Sequence, residues 1–304
     1  MRRHRWSDAE WREALERLLR ERPPADRAND DPVFFPRRAM ELGRSRIEIE
    51  HMALLSAMLA YGRVAVFLAV LRTLAEESDY RLSALLRDPT DGRRWPAYRL
   101  SRGDDIAAVV RAAVSVTERR GGLWESFRPG WETDETVRAG VAALRGDLLR
   151  AIPSRRRTRG VLHLLPGVEN GQCAKRWMLF LRWMVRRDDV DLGLWSGVPP
   201  RALVIPLDRH IGFLGRAFGW TRRRTDDART AEEITAVLRR FDPADPLRYD
   251  FALCHLGISG LCRHARGGRC PPECAFRGVC RRCAGRGRAA VTGPRTSPAR
   301  GFAE

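Results

Sequence analysis

LPGVENGQCAKRW, residues 165–177, and VIPLDRH, residues 204–210, decide how the chain is read. In the first, Leu-Pro-Gly stops one helix, Gly171 turns the chain, and CAKRWMLFLRWMVRR starts a second helix. The pattern is helix, hairpin, helix over about residues 160–187. Leu179, Leu181, Trp183 and Met184 make the second helix apolar over much of its surface, so it is expected in the core with Lys175 near its first turn, at the rim. A tight turn with Gly167 and Gly171 exposes backbone N–H groups, a helix N-terminus among them, and these bind phosphate without reading sequence. In the second stretch Asp208 precedes the helix expected from Arg209 and is a candidate N-cap.

Lys175 stands out by count. Lys and Arg together number 56, and one of these is lysine, which leaves 55 arginines. Arginine keeps its proton in proteins and cannot serve as an amine nucleophile, whereas lysine can. A composition biased toward arginine accounts for the count as chance. The position of Lys175 after a Leu-Pro-Gly turn, with Asp208 downstream, favours a functional role.

The formal charge of +18 and sequence pI near 11.0 point to a polyanionic partner, most simply nucleic acid. A hydrophobic share of 44% excludes a chain disordered throughout. The N-terminal stretch is charged and lacks the apolar core of a secretory signal, so a cytoplasmic protein is expected. Residues 52–71 approach the length of a membrane span, but Gly62 and Arg63 interrupt them at the middle, which favours two buried helices. Ser154 to Arg159, SRRRTR, is a cationic run leading into the hairpin; Arg155, Arg156 and Arg157 are candidates for phosphate contact or for a solvated face.

Taken in order, the segments predict an all-α fold. Ser7 and Glu10 form a capping-box pattern ahead of a helix that Pro23 and Pro24 stop. NDDPVFFPRR, residues 29–38, reads as a turn-rich loop. Helices follow over roughly 46–61 and 63–77, then short helical pieces over 80–103, and a helix from Asp104 to Arg119 that GGLWESFRPGW breaks. Another runs from Thr133 to Ile152, and Thr230 with Glu233 marks a second capping box. The acidic run Asp188, Asp189 and Asp191 reads as caps and salt bridges to Arg186 and Arg187. The division expected is an N-terminal helix over 1–28, a helical core over 29–260, a cysteine-rich loop over 261–283 and a disordered tail over 284–304.

LPGV with a helical lysine, followed by LD-x-H opening another helix, resembles the helix–hairpin–helix DNA glycosylase superfamily of endonuclease III and the 8-oxoguanine glycosylases. AYGR at 60–63, LRWMVRRDDVDLGLW at 181–195, IPLDRHI at 205–211 and YDFAL at 249–253 are similar to an uncharacterised bacterial and archaeal branch of it. The resemblance spans about residues 29–283 and implies a two-lobed helical fold and a DNA glycosylase with AP-lyase activity, acting as a monomer on damaged double-stranded DNA. It carries over Lys175 as the Schiff-base nucleophile and Asp208 as its electrostatic partner. Tyr61 would stack on a base and Arg63 touch a phosphate, with interhelical packing the alternative for both. Arg176 and His210 fall beside the carried-over pair as DNA-contact candidates. Glu169 stands where the family has its second hairpin glycine, and the lysine-to-aspartate gap is longer than in endonuclease III. The alternative function is a non-catalytic DNA-structure-binding protein on the same scaffold.

Cys262, Cys270, Cys274, Cys280 and Cys283 fall within 22 residues, and in a cytoplasmic chain such clustering argues for metal over disulfide. The spacing C-x7-C-x3-C-x5-C is similar to the cluster loop of endonuclease III and suits a [4Fe–4S] cluster on Cys262, Cys270, Cys274 and Cys280, with Cys283 as alternate ligand. Zinc is the alternative metal.

Overall fold

The computed structural model describes residues 6–87, 94–258, 262, 274–276, 279 and 280. The expectations for residues 88–93, for Cys270 and Cys283 and for the tail lie outside these residues. The described residues form α-helices, a few 3₁₀ turns and no strand, which makes the fold all-α.

Helix α1 (Asp8–Glu21) opens on the capping box foreseen: the Ser7 hydroxyl accepts from the Glu10 backbone and the Glu10 carboxylate accepts from the Ser7 backbone at 2.6 Å. After a 3₁₀ turn over Pro24–Asp30 comes α2 (Phe34–Glu41), so the second half of the expected loop is helical. Pro36 is tolerated there because it lies in the first turn, where a missing N–H leaves no intrahelical bond unmade. The interrupted apolar segment is indeed two helices, α3 (Arg46–Leu59) and α4 (Val64–Glu77), joined at Gly62 with φ +81°. No helix among the described residues is long and apolar enough to cross a membrane.

Helix α5 (Gly103–Arg120) ends on Gly121 in the left-handed conformation. The glycine pair breaks the helix as expected, but the residues after it form a further helix, α6 (Leu123–Asp134), with Pro129 inside it. The reason is a partner distant in sequence. The buried Glu50 carboxylate on α3 accepts the Leu123 N–H at 2.7 Å and caps α6, and it also accepts Trp195 Nε1 at 2.8 Å. Helix α7 (Val137–Ala151) starts on the Thr136 cap and packs against α5 and α6. Then come α8 (Arg159–Leu164), α9 (Lys175–Val185), α10 (Arg209–Phe218), α11 (Ala228–Phe241) and α12 (Asp250–Ile258). The cap of α11 is Asp227 rather than Thr230: Asp227 accepts the Thr230 N–H at 2.9 Å, and Thr230 is buried in the first turn, donating to the Thr225 carbonyl.

Helix α3 is buried on almost every side, between α2, α5 and α9. Away from it, α10 packs on α11 and α12, and α1 returns across the molecule to lie on α11. There Trp11 stacks on Phe241 and meets Phe218 and Trp220 edge-on, so α1 helps build this second group.

Helix α9 joins the two groups through ions. Arg182 donates to Asp191 at 3.2 Å and to Asp250 on α12 at 2.7 Å; Arg186 pairs with Asp191, with Asp245 at 2.9 Å and with Asp188 at 2.9 Å. Arg182, Asp191 and Asp250 are all buried. Burial pushes Asp191 up to about 6 against the pull of the two arginines, and each arginine, facing more than one carboxylate, is held firmly protonated. Asp188 and Asp191 of the acidic run are thus salt-bridge partners, as expected for Arg186, with Arg182 in the place foreseen for Arg187. Replacing Asp191 by Ala leaves both guanidinium groups buried with part of their compensation gone. The expected cost is about 3–5 kcal/mol, read from the urea unfolding midpoint. A loss under about 1 kcal/mol, the worth of a surface pair, contradicts this account.

Candidate active site

The hairpin between α8 and α9 is held by its carbonyls. Arg145 Nε on α7 donates to the Leu165 carbonyl at 2.9 Å, and Arg138 Nη1 on the same helix reaches the Val168 and Gln172 carbonyls at 3.1 and 3.0 Å. Trp177 Nε1 closes back on the Pro166 carbonyl at 2.8 Å, and Ala228 N–H bonds the Gly171 carbonyl at 2.8 Å. Asn170, Gly171 and Ala174 turn the chain with φ of 59°, 74° and 50°. Gly171 is exposed, with nothing within 4 Å of a Cβ built there. Gly167 is different: a Cβ would lie 2.5 Å from a Glu169 carboxylate oxygen. That oxygen accepts the Val168 N–H at 3.1 Å, and the other carboxylate oxygen lies 3.7 Å from Arg145. The hairpin therefore holds a carboxylate of its own on one of its backbone N–H groups.

Lys175 is the first residue of α9, at the rim as expected, with its side chain 34% exposed. Its Nζ lies 3.5 Å from Asp208 Oδ2, so residues 33 apart in sequence meet in space. The two oxygens of Asp208 have separate duties. Oδ1 accepts His210 N–H at 2.8 Å and Ile211 N–H at 2.9 Å, the N-cap foreseen for α10, and Oδ2 faces the lysine. A third group, absent from the sequence-level set, also reaches Oδ2: the Cys254 thiol on α12, at 3.6 Å. Cys173 Sγ lies 3.8 Å from the Leu207 carbonyl and ties the hairpin to the segment that carries Asp208.

Arg176 and Tyr61 are packed differently from what a DNA contact requires. The Arg176 side chain turns inward, where it donates to the carbonyls of Met58 at the end of α3 and of His163 on α8. Its guanidinium sits 5.1 Å above the Tyr61 ring, and burial lowers its pKa to about 10. Those carbonyls belong to last helical turns, which have no intrahelical donor, so Arg176 completes two helix ends instead of facing solvent. Tyr61 is covered by Arg176 and packs at 4.8 Å from Tyr98 and 4.6 Å from His163, while its hydroxyl donates to the Tyr98 carbonyl at 3.1 Å. Interhelical packing accounts for it. His210 packs against α12, where a Cβ on Gly257 would come within 2.7 Å of its own Cβ.

The remaining cationic candidates are on the surface. Arg63 is exposed at the start of α4, and Arg155, Arg156 and Arg157 are exposed on the turn before α8, Arg157 donating to the Ile152 carbonyl at 2.9 Å. Of the five clustered cysteines, Cys262, Cys274 and Cys280 are described. Cys280 is buried, next to Phe276, whose ring lies 4.8 Å from Phe218, so this segment is anchored on the protein body. Among the described residues no three His, Cys, Asp or Glu side chains converge as a metal site, and Cys270 and Cys283 lie outside them.

A family model described as "Protein of unknown function (DUF2400)" matches residues 31–259. No curated protein and no solved structure matches the chain.

Asp208 separates cap from ion pair by substitution. Asp208→Asn keeps an oxygen on the α10 N-terminus and is expected to cost only a few tenths of a kcal/mol, whereas Asp208→Ala costs about 1 kcal/mol, both read by urea unfolding. Equal losses in the two variants contradict the cap.

Proposed function

We propose, for a chain that belongs to the DUF2400 family, that it is a DNA glycosylase with AP-lyase activity in base-excision repair, built as a two-lobed helix–hairpin–helix protein. The observation that carries the proposal is the 3.5 Å approach of the chain's one lysine to Asp208 at the end of the hairpin. A positioned amine beside a carboxylate, on a chain of charge +18, suits covalent chemistry on a polyanion.

The target nucleotide is extruded, because its glycosidic bond is out of reach inside the stack. Lys175 Nζ, as the free amine, forms a bond to the anomeric carbon while the glycosidic bond breaks and the base leaves with the electron pair. Asp208 Oδ2 takes the proton from the amine and stabilises the cationic sugar. Opening of the sugar ring gives a protonated Schiff base. Loss of a C2′ proton then expels the 3′ phosphate with its electron pair and cuts the strand. A phosphodiester reaching the hairpin has to displace Glu169 from the Val168 N–H. Arg63 and Arg155 to Arg157 supply backbone contacts that position the duplex without specifying sequence. The partner is damaged double-stranded DNA, and the setting proposed is a monomer in the cytoplasm on the nucleoid.

The cysteine spacing supports a [4Fe–4S] cluster on Cys262, Cys270, Cys274 and Cys280, with Cys283 as alternate and zinc as the other metal that thiolates admit. Such a cluster would brace the basic segment around it, and no step of the reaction runs through it. Protein prepared without oxygen is expected to be brown, with iron and sulfide in stoichiometric amounts. Zinc without iron in that preparation overturns the cluster.

Borohydride is expected to trap the wild-type protein on DNA carrying an abasic site or a suitable damaged base. Lys175→Arg retains DNA affinity and loses the adduct and the strand cut, since the guanidinium keeps the charge but offers no free amine. Asp208→Asn retains binding and slows trapping by about a hundredfold or more, the scale of a lost proton acceptor. Undiminished trapping in Lys175→Arg points to the α-amine. Salt-dependent duplex binding with no trapping on any substrate makes the non-catalytic DNA-structure-binding protein the better description.

A further inference from the structure

Cys254 lies outside everything assigned above to the chemistry, yet it touches its centre. Its thiol is 3.6 Å from Asp208 Oδ2, the oxygen that lies 3.5 Å from Lys175 Nζ. Oδ1 is already committed to two backbone N–H groups of α10, so the adjustable part of this carboxylate is Oδ2, shared between an amine and a thiol. The placement of the thiol is built in. Asp250 and Cys254 are i and i+4 on α12 and share a face, and Asp250 is fixed one turn earlier by Arg182 at 2.7 Å. The buried ion pair that docks α12 therefore also sets the thiol on Asp208.

We infer that Cys254 is a positioning residue of the Lys175–Asp208 centre, and that its S–H, donated to Oδ2, limits how tightly the carboxylate holds the lysine. This rests on the glycosylase proposal above for its consequence, though not for its geometry. Four charged groups bear on the thiol: Asp208 at the head of α10, Asp250 on α12, Asp31 before α2 and Lys175 on α9. Burial raises the thiol well above its ordinary range, and the three carboxylates add to this against Lys175. The group facing Oδ2 is thus a neutral donor and not a second anion competing for the amine. A donor on Oδ2 withdraws electron density from the carboxylate and loosens its grip on an ammonium, which makes the free amine easier to reach.

The test has two arms. In the first, single-turnover borohydride trapping on an abasic duplex is followed against pH for the wild type, Cys254→Ala and Cys254→Ser. Cys254→Ala is expected to slow trapping roughly three- to tenfold near neutrality, the scale of one modest hydrogen bond, and to move the rising limb of the profile to higher pH. Cys254→Ser restores a donor and brings the limb back. Profiles of wild type and Cys254→Ala that superpose overturn the inference. So does a uniform slowing with an unmoved limb and no rescue by serine, which marks a packing role only. The second arm needs no catalysis. The intact protein is alkylated with iodoacetamide at fixed alkaline pH, and modification of Cys254 is followed by peptide mass spectrometry in wild type and Asp208→Asn. Removing the neighbouring charge is expected to speed alkylation of Cys254 severalfold, with little change at Cys173. An unchanged rate at Cys254 overturns the pairing. A wild type that traps nothing while this arm responds keeps the thiol on the carboxylate and removes the glycosylase function instead.

Discussion

The architecture depends on the desolvated ion cluster at the C-terminal end of α9. Arg182 and Arg186 each satisfy carboxylates from other segments: Asp191 and Asp188 just after the helix, Asp245 before α12, and Asp250 on α12 itself. Charges so deep in a protein contribute little net stability compared with apolar residues of the same shape, but they are costly to break one at a time. They also have direction, which an apolar contact lacks. A leucine on α9 would tolerate α12 in several rotations, while Arg182 accepts it in the one that offers Asp250. The face of α12 turned toward α10 follows from that choice, and so does the thiol beside Asp208.

The other end of α9 solves a different problem with the same residue type. Arg176 occupies the last carbonyls of α3 and α8 while Tyr61 lies beneath its guanidinium. Arg138 and Arg145, on the hairpin carbonyls, hold the loop that leads into Lys175 from behind. Much of the arginine of this chain near the site is therefore scaffold. The guanidinium suits that work because it presents several donors in a planar fork and stays charged when partly buried.

This division explains what was legible in the sequence. The helices around α3, α5, α7 and α9 announce themselves by apolar period and caps, and Ser7 with Glu10 and Asp208 before Arg209 name their own helix starts. The meeting of Lys175 with Asp208 was readable because both stand at element ends with recognisable flanks. The direction of Arg176 was misjudged from its charge, although with Phe180 and Trp183 it occupies i, i+4 and i+7 of the buried face, a period that points inward. The helix α6 that follows the Gly-Gly break was not readable: Pro129 argues against a helix there, and the carboxylate that caps it lies 73 residues earlier. Asp227 was passed over for Thr230 because both are capping types and only burial separates them. Cys254 gave no local signal at all, since its meaning lies in an oxygen 46 residues away.

The solitary lysine also makes the molecule spectroscopically sparse where it matters. Reductive methylation with isotope-labelled formaldehyde tags amines alone, and here these are Lys175 Nζ and the α-amine. Two resonances would then report on the whole chain, one of them from a nitrogen 3.5 Å from a carboxylate oxygen. In a chain of 304 residues, one methyl resonance thus watches the contact of Lys175 with Asp208, free of overlap from other lysines.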